Sequence, residues 1–503
     1  MSTYLLEIGT EELPPDLSRT VIPQLAQKVR EDLSTLRLRY QEIKITSTPR
    51  RISLLIYGIS LSADDFVDEI KGPPFSQAYA ASKPTQAAKG FAKRCGIQVN
   101  DLTTRDTSKG PFVYASIIEK GQLTINLLAE YIPKWISTIQ GRRFMRWGSG
   151  DIRFARPIRW IVSLLDDQVV QAKITGCDPE IIVGSTTRPH RLYGDYLNLS
   201  HSSNYFSQLS QVGVVADRDT RKSLIKDLIN TKAESKSATP DLSIELINEL
   251  TDLVEAPILV EGSFDKSFLN LPSEVLTTVM KVHQRYVPLL KPTASKDPLS
   301  MDSKSVLLPS FLCISNGIES ASSSIVYGNE RVLRARFSDA EFFLKSDLAT
   351  STDERLTKLC DVTFAGGLGS LLDRVNRIEW IVDKISNDLV LNKNDTAHSK
   401  RAANLCKHDL VSNIVGEFPE LQGTIGAKYL FAQGESREVA LAVSEHYLPR
   451  SSGDFLPQTN PGSILSIADR FELILSIFSK GERPSGSSDP YALRRAANGI
   501  IQI

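Results

Sequence analysis

The sequence predicts an α+β multidomain protein, with mixed α/β lobes in the N-terminal and middle parts followed by an all-helical region. Three observations predict this. Short apolar runs of strand character, such as Tyr4–Ile8 and Ile52/Leu54/Ile56, alternate with helical patterns through the first part of the chain. From about residue 350 the signal becomes mainly helical, and Leu371, Val375, Ile378, Val382, Ile385 and Leu389 form one apolar stripe in steps of four and three. A length of 503 residues exceeds one ordinary core. The expected boundaries are 1–200 for an N-terminal α+β lobe, 201–350 for a middle α+β domain and 351–503 for the helical part.

In order, Tyr4–Ile8 reads as a strand, and Thr10-Glu-Glu-Leu-Pro-Pro15 as a turn and helix start. Leu17, Val21, Leu25, Val29 and Leu33 recur at helical spacing, with Pro23 as a candidate kink. Ile43/Ile45 and Ile52/Leu54/Ile56 are strands around the turn Ser47–Arg51. Lys71-Gly-Pro-Pro74 breaks the pattern before an Ala-rich helix at Pro84–Cys95, a strand at Tyr114–Ile118 and a helix at Leu123–Ile139. Residues 142–196 return to strands and turns, and 205–232 are helical, ending in a polar linker over Lys232–Pro240. Ile258–Val260 is a strand and Pro272–Val282 a helix. Residues 291–305 form a polar insertion, expected as a mobile hairpin tip. Val439, Ala442, Val443 and His446 make a second helical stripe.

The formal net charge is zero, so any nucleic-acid surface must be local. Five scattered cysteines form no CxxC motif and read as reduced, mostly buried thiols. The N-terminus has no basic targeting segment, and no apolar run reaches the ~18 residues of a membrane span, so no membrane partner is expected and the default location is cytoplasmic.

No phosphate loop, nucleophile elbow or HExxH is present. Gly366-Gly-Leu-Gly369, ahead of the helix near Leu371, is either a plain turn or a phosphate-binding start. The densest cationic patch is Arg142, Arg143, Arg146, Arg153, Arg156 and Arg159, with Trp147, Phe154 and Trp160 among them. Guanidinium groups beside aromatics suit phosphate contact and base stacking. Pairing with internal carboxylates or stacking on the tryptophans is the competing reading. Arg331, Arg334 and Arg336 precede Asp339 and Glu341, and intramolecular or interface pairing is expected of them. His408-Asp409 on a helix, with Asp469 as the distant carboxylate and His398 as a doubtful first ligand, follows the logic of an HD phosphohydrolase. Without a clear fourth ligand this set favours a relic of that fold over a working metal site, and no metal is expected. His446 reads as a core or rim histidine. Near the end, Asp489-Pro-Tyr-Ala-Leu-Arg-Arg495 opens a helix with Asp489 as N-cap and Pro490 at its first position. The chain stops a few turns later, which reads as a fragment.

Several phrases occur in order: Glu7-Ile-Gly-Thr-Glu-Glu-Leu-Pro-Pro15, Thr48-Pro-Arg-Arg51, Lys71-Gly-Pro73, Gly90-Phe-Ala92, Met145-Arg-Trp-Gly148 and Phe154-Ala-Arg-Pro-Ile-Arg-Trp160. They continue with His283-Gln-Arg-Tyr286, Gly328-Asn-Glu-Arg331, Asp339-Ala-Glu-Phe-Phe343, Glu417-Phe-Pro-Glu-Leu-Gln-Gly423, Glu445-His-Tyr-Leu-Pro449 and Asp489–Arg495. This series resembles the β subunit of bacterial-type glycyl-tRNA synthetase over nearly the whole chain. The resemblance implies a tRNA-binding, non-adenylating subunit with no catalytic residue of its own. Its partners would be an α subunit, in an α2β2 tetramer, and tRNA(Gly). ATP, with Mg2+, would bind on the α subunit, and no cofactor is expected here. The region from about 356 to 480 would be the family's HD-like domain, serving shape and RNA contact. The arginines at 142–159 would be the RNA surface, and His408, Asp409 and Asp469 the HD-like remnant.

Three departures qualify the resemblance. The family continues past the Asp489–Arg495 phrase into an anticodon-binding domain, Arg188-Pro-His-Arg-Leu192 lacks the usual preceding glycine, and the Ser-rich stretches at 295–305 and 320–324 read as lineage-specific loops. Two rival functions are a metal-dependent HD phosphohydrolase and a purely structural scaffold for the α subunit.

Overall fold

The computed structural model describes residues 2–80, 82–292, 297–389, 391–486 and 488–503. They form two compact units. One comprises residues 1–226, 247–258 and 315–319, and the other 227–246, 259–314 and 320–503.

The first unit is built on a mostly antiparallel sheet in the order Gln168–Val169, Ile158–Leu165, Ser2–Thr10, Arg51–Ile59, Glu42–Thr48, with Val183–Gly184 added parallel to Ile158–Leu165. Ser2–Thr10 is central, pairing Leu5 with Leu55 on one side and Leu164 on the other. Central position explains its apolar run over Tyr4–Ile8, interrupted at Glu7, since both faces are covered. Tyr4, Leu6 and Ile8 point into a core closed by the helices Leu17–Thr35 and Thr124–Thr138, through Val21, Leu25, Val29, Leu128 and Ile132. Leu5 points to the opposite face, against Leu55, Trp160, Tyr205 and Leu209. Pro23 lies inside the first helix without ending it, because the buried stripe on both sides holds it in place. A separate three-stranded sheet, Phe66–Pro74, Gly110–Glu119 and Thr103–Thr107, packs the helix Gln86–Cys95 through Phe91, Cys95, Val113 and Ala115. Gly72 lies under that helix, where an added Cβ would stand 2.4 Å from the Phe91 ring.

The strands of the second unit follow the order Thr239–Pro240, Val287–Leu290, Leu307–Asn316, Pro257–Ser263. Phe311, Phe337, Met280 and Phe418 fill the core beside them. Helices Leu371–Asp388, Lys393–Leu405, Thr424–Ala432, Arg437–Glu445 and Asn460–Ser479 share a further core that includes Ile378, Val382, Ala402, Cys406, Val443 and Leu465. Leu371, Val375, Ile378 and Val382 of the 371–389 stripe face inward as expected and Ile385 packs partly against the core, but Leu389 lies past the helix end and is exposed.

Several expectations are corrected. Continuous helix begins at Ser322, well before residue 350, and the Ser-rich stretch at 320–324 enters that 28-residue helix instead of looping. The polar stretch at 232–240 is no linker. Its helix runs to Ser235, and Thr239–Pro240 pairs with Leu289 and Leu290. The helix at Pro272–Val282 gives way to a π turn at Val279–His283. Of the 291–305 insertion, residues 293–296 lie outside the described residues. The remainder is anchored, with Leu299 buried and Asp297 paired to Arg437 at 2.9 Å. The last helix starts at Leu493, three residues after Pro490, although Asp489 still caps it by accepting from the N–H groups of Leu493 (2.8 Å) and Arg494 (3.0 Å). The five cysteines are free, but only Cys95 and Cys406 are buried, and Cys360 is exposed. Among the described residues, no helix is long and apolar enough to cross a membrane.

Candidate functional site

The arginine-rich segment is a loop pinned at three places. Met145 and Phe154 exchange backbone hydrogen bonds of 2.8 and 3.1 Å, and the buried Phe154 ring lies 5.6 Å from that of Phe144. Ile152 N–H donates to the Gly176 carbonyl at 3.0 Å. The Asp178 carboxylate accepts from the N–H (2.7 Å) and hydroxyl (2.9 Å) of Ser149, which hold it below the usual carboxylate range. The six arginines divide on this frame. Arg159 donates to Glu11 at 2.8 Å, and the half-buried Arg156 to the Ala155 carbonyl at 2.7 Å. Arg142, Arg143, Arg146 and Arg153 are exposed, with no ion pair or hydrogen bond for their side chains among the described residues. Pinned backbone with free guanidinium groups is an arrangement suited to an outside anion.

Trp160 is not available to that anion. It is buried, and its ring is covered by the guanidinium groups of Arg188 (5.0 Å), Arg50 (5.5 Å) and Arg51 (5.8 Å). Beneath it lies a network that the sequence did not reveal. Glu7, fully buried in the central strand, accepts from Trp160 Nε1 (2.5 Å), the Thr187 hydroxyl and the Tyr205 hydroxyl (2.5 Å). Arg51 donates to Glu255 (3.1 Å) and to the Arg188 carbonyl (3.0 Å), and its Nη1 lies 3.6 Å from Glu7. Burial alone would raise the Glu255 carboxyl, but the Arg51 charge overcomes it and holds it low. The phrases Glu7–Pro15, Thr48–Arg51, Phe154–Trp160 and Arg188–Leu192 therefore meet at one place. The available signal was a lone Glu within an apolar strand, a residue that stays buried only when paired.

The HD-like residues do not assemble into a metal site. His408-Asp409 lies on a short 3-10 turn, His408–Val411, after the helix ends at Leu405. His408 Nδ1 accepts from Arg355 Nε (3.1 Å), and its Nε2–H donates to the Gly426 carbonyl (3.1 Å). Burial, then the Arg355 charge, pushes this imidazole down to about 3, so it is neutral. Asp409 accepts from the N–H groups of Gly423 (2.6 Å) and Gly426 (3.1 Å). Asp469 instead meets Lys407, whose Nζ is 3.1 Å away, and Arg374, at 2.9 Å. Lys407 Nζ also donates to His446 Nε2 and to the Tyr447 hydroxyl, each at 3.0 Å. Burial would lower this ammonium, but Asp469 overcomes that and raises it. An ammonium and a guanidinium thus take up the Asp469 carboxylate, and the residues present do not fit a metal. No group of three or more His, Cys, Asp or Glu able to hold one occurs among the described residues.

Two smaller expectations resolve similarly. Gly366–Gly369 is a turn closed by a capping box in which Ser370 and Asp373 satisfy each other's N–H groups, placing an acid where a phosphate would sit. The expected intramolecular pairing occurs for Arg336, which meets Glu417 at 3.1 Å, while Glu341 pairs with Lys345 at 3.0 Å and no ion pair of Arg331 or Arg334 is found among the described residues.

Comparison with known proteins defines the class. The family model described as glycyl-tRNA synthetase beta subunit matches residues 4–503, which makes the chain a subunit of an aminoacyl-tRNA synthetase. Proteins named glycine–tRNA ligase beta subunit from Acaryochloris marina (strain MBIC 11017) and Synechocystis sp. (strain ATCC 27184 / PCC 6803 / Kazusa) are each 43% identical over 100% of this chain, which covers 69% and 68% of their lengths. The protein of that name from Bacillus subtilis (strain 168) is 39% identical over 99% of the chain and 71% of its own length. The chain belongs to the glycyl-tRNA synthetase β-subunit family.

Proposed function

We propose that this chain is the tRNA-binding, non-adenylating β subunit in the ATP-dependent attachment of glycine to tRNA(Gly), working in the cytoplasm with a separate α subunit in an α2β2 tetramer. Adenylate formation, with ATP and Mg2+, falls to the α partner. The observation that carries the reading is the set of four exposed, unpaired arginines, Arg142, Arg143, Arg146 and Arg153, on the pinned loop. Phosphate contacts from such a loop fix the register of an RNA without reading its sequence. The helical region is read as an HD-like domain that keeps shape without hydrolysis, and the Lys407–Asp469 pair supports this by taking up the carboxylate that a metal would need.

The test is glycylation of bulk bacterial tRNA by purified α subunit with and without this chain, beside direct RNA binding by the chain alone. Activity that appears only on mixing, with RNA binding by the chain, supports the reading. Activity on mixing without RNA binding by the chain would assign it to scaffolding.

A further inference from the structure

We propose that a cavity in the second unit is an anion site for the phosphate of a single nucleotide, separate from the arginine loop and devoid of hydrolytic activity. The cavity has a volume of about 460 Å³, within the range of small-ligand sites. Three of the phrases singled out in the sequence meet on its wall: Glu417–Gly423 supplies Glu420 and Gln422, Glu445–Pro449 supplies His446, Tyr447 and Pro449, and Asp489–Arg495 supplies Tyr491, Ala492 and Arg495.

Charge makes this an anion site. At its floor Lys407 and Arg374 are matched by Asp469 and by the buried Glu472. Arg450, Arg470 and Arg495 also line the cavity, against one further carboxylate, Glu420, which is shared with His283 at 3.1 Å, and Arg450 donates to the Glu420 and Gln422 carbonyls rather than to a carboxylate. Arg470 is buried and, among the described residues, bonds to oxygens of uncharged groups, those of Ser466, His446, Tyr447 and Pro449, and to no carboxylate. Arg495 is exposed, with no ion pair or hydrogen bond for its side chain among the described residues. A guanidinium fork free at the mouth of a positive cavity suits two phosphate oxygens.

Shape adds the second half of the ligand. Ala492 adopts a left-handed backbone with φ +54°, a conformation uncommon for a residue with a side chain, and there the chain turns into the last helix. Tyr491 stays partly exposed on the rim, with Leu473 and Pro449 as the apolar wall. An aromatic ring beside a phosphate fork accommodates any base by stacking. No turnover is expected at the floor, because Asp469 is taken up by Lys407 and Arg374, and Glu472 by Arg374 and Arg377.

The test is calorimetry at low salt on the whole chain with AMP, adenosine and a short single-stranded RNA oligonucleotide. Wild type is compared with R495A, R495K and Y491A, and the oligonucleotide arm is run in the R142A/R143A/R146A background to remove the loop. AMP is expected to bind and adenosine to bind far more weakly, with R495A losing about tenfold in AMP affinity and R495K less. Tighter binding of the oligonucleotide than of AMP would assign the site to an RNA strand, and the reverse order to a free nucleotide. Failure of both to bind, or equal affinities for wild type and R495A, overturns the proposal. The AMP arm is repeated in the R142A/R143A/R146A background, where its affinity is expected to be unchanged, so this result and the fate of the tRNA reading are separable.

Discussion

Lys407 Nζ lies 3.1 Å from Asp469 Oδ1, with both side chains buried, so an internal ammonium neutralises the carboxylate a metal would need. Removing one partner of a buried pair leaves the other uncompensated, at a cost of about 3–5 kcal/mol. Arg374 remains beside Asp469 and softens that cost. Lys407→Met is therefore expected to lower stability toward the low end of this range in urea unfolding. Wild-type protein dialysed against Mn2+ or Zn2+ should retain no stoichiometric metal and show no phosphodiester turnover. Stoichiometric metal with turnover would revive the hydrolase reading.

Two buried histidines set the acid limit. Burial, then the Arg355 charge, pushes His408 down to about 3, and burial with Lys407 holds His446 well below its ordinary value. Below about pH 6.5 the unfolded chain protonates both while the folded chain does not. The unfolded state then binds more protons, so stability falls as pH falls, by up to about 1.4 kcal/mol per pH unit per histidine. For His408 the loss continues to about pH 3, where the folded imidazole titrates. Asp469, held low in the fold once Lys407 and Arg374 overcome the effect of burial, adds a loss in the same direction, beginning below its unfolded value of about 3.9. Urea midpoints at pH 7, 6, 5 and 4 check this, and His408→Gln should flatten the slope. A midpoint independent of pH over that range contradicts neutral buried imidazoles.

Gly9 stands directly under Trp160. A Cβ there would lie 1.8 Å from the indole, and the indole is held by Glu7 and three arginines. Gly9→Ala is expected to destabilise the first unit by about 1–3 kcal/mol or more through overpacking, visible as a lower thermal midpoint. An unchanged midpoint would mean that the Trp160 shelf is loose.

Arg51 holds Glu255 by direct hydrogen bonds and lies near Glu7 in a fully buried setting. Arg51→Met strands both acids and is expected to cost about 3–5 kcal/mol. Adding Glu255→Gln to it should recover part of the loss, since one charge is then removed. A double mutant that loses the sum of both single effects would show that the two side chains are not coupled.

Periodic elements were legible because one face of each is buried. The helix Leu17–Thr35, the strands flanking Ser47–Arg51 and the stripe from Leu371 all appear where spacing places them. The long helix from Ser322 is hard to see in the sequence because its exposed faces carry Tyr327, Val332 and Phe342, which blur its apolar stripe. Thr239–Pro240 was missed because two residues at a sheet edge carry no period of their own. At the site, the cationic loop was visible as composition, but the division into free and committed arginines depends on Glu11, over 140 residues away. Lys407 does not stand out in the sequence beside His408-Asp409. A lysine directly after the inward-facing Cys406 was the available signal, but its partner Asp469 lies 62 positions further on.

The central claim, that the pinned arginine loop holds the tRNA backbone, is tested most directly by the salt dependence of tRNA binding to wild-type chain and to R142A/R143A/R146A. Each arginine–phosphate pairing removed should reduce the slope of log K against log salt by about 0.7–0.9, so removing three predicts a drop of about 2–3 with weaker binding at low salt. The same slope and affinity in the variant would contradict the account and move the RNA surface elsewhere.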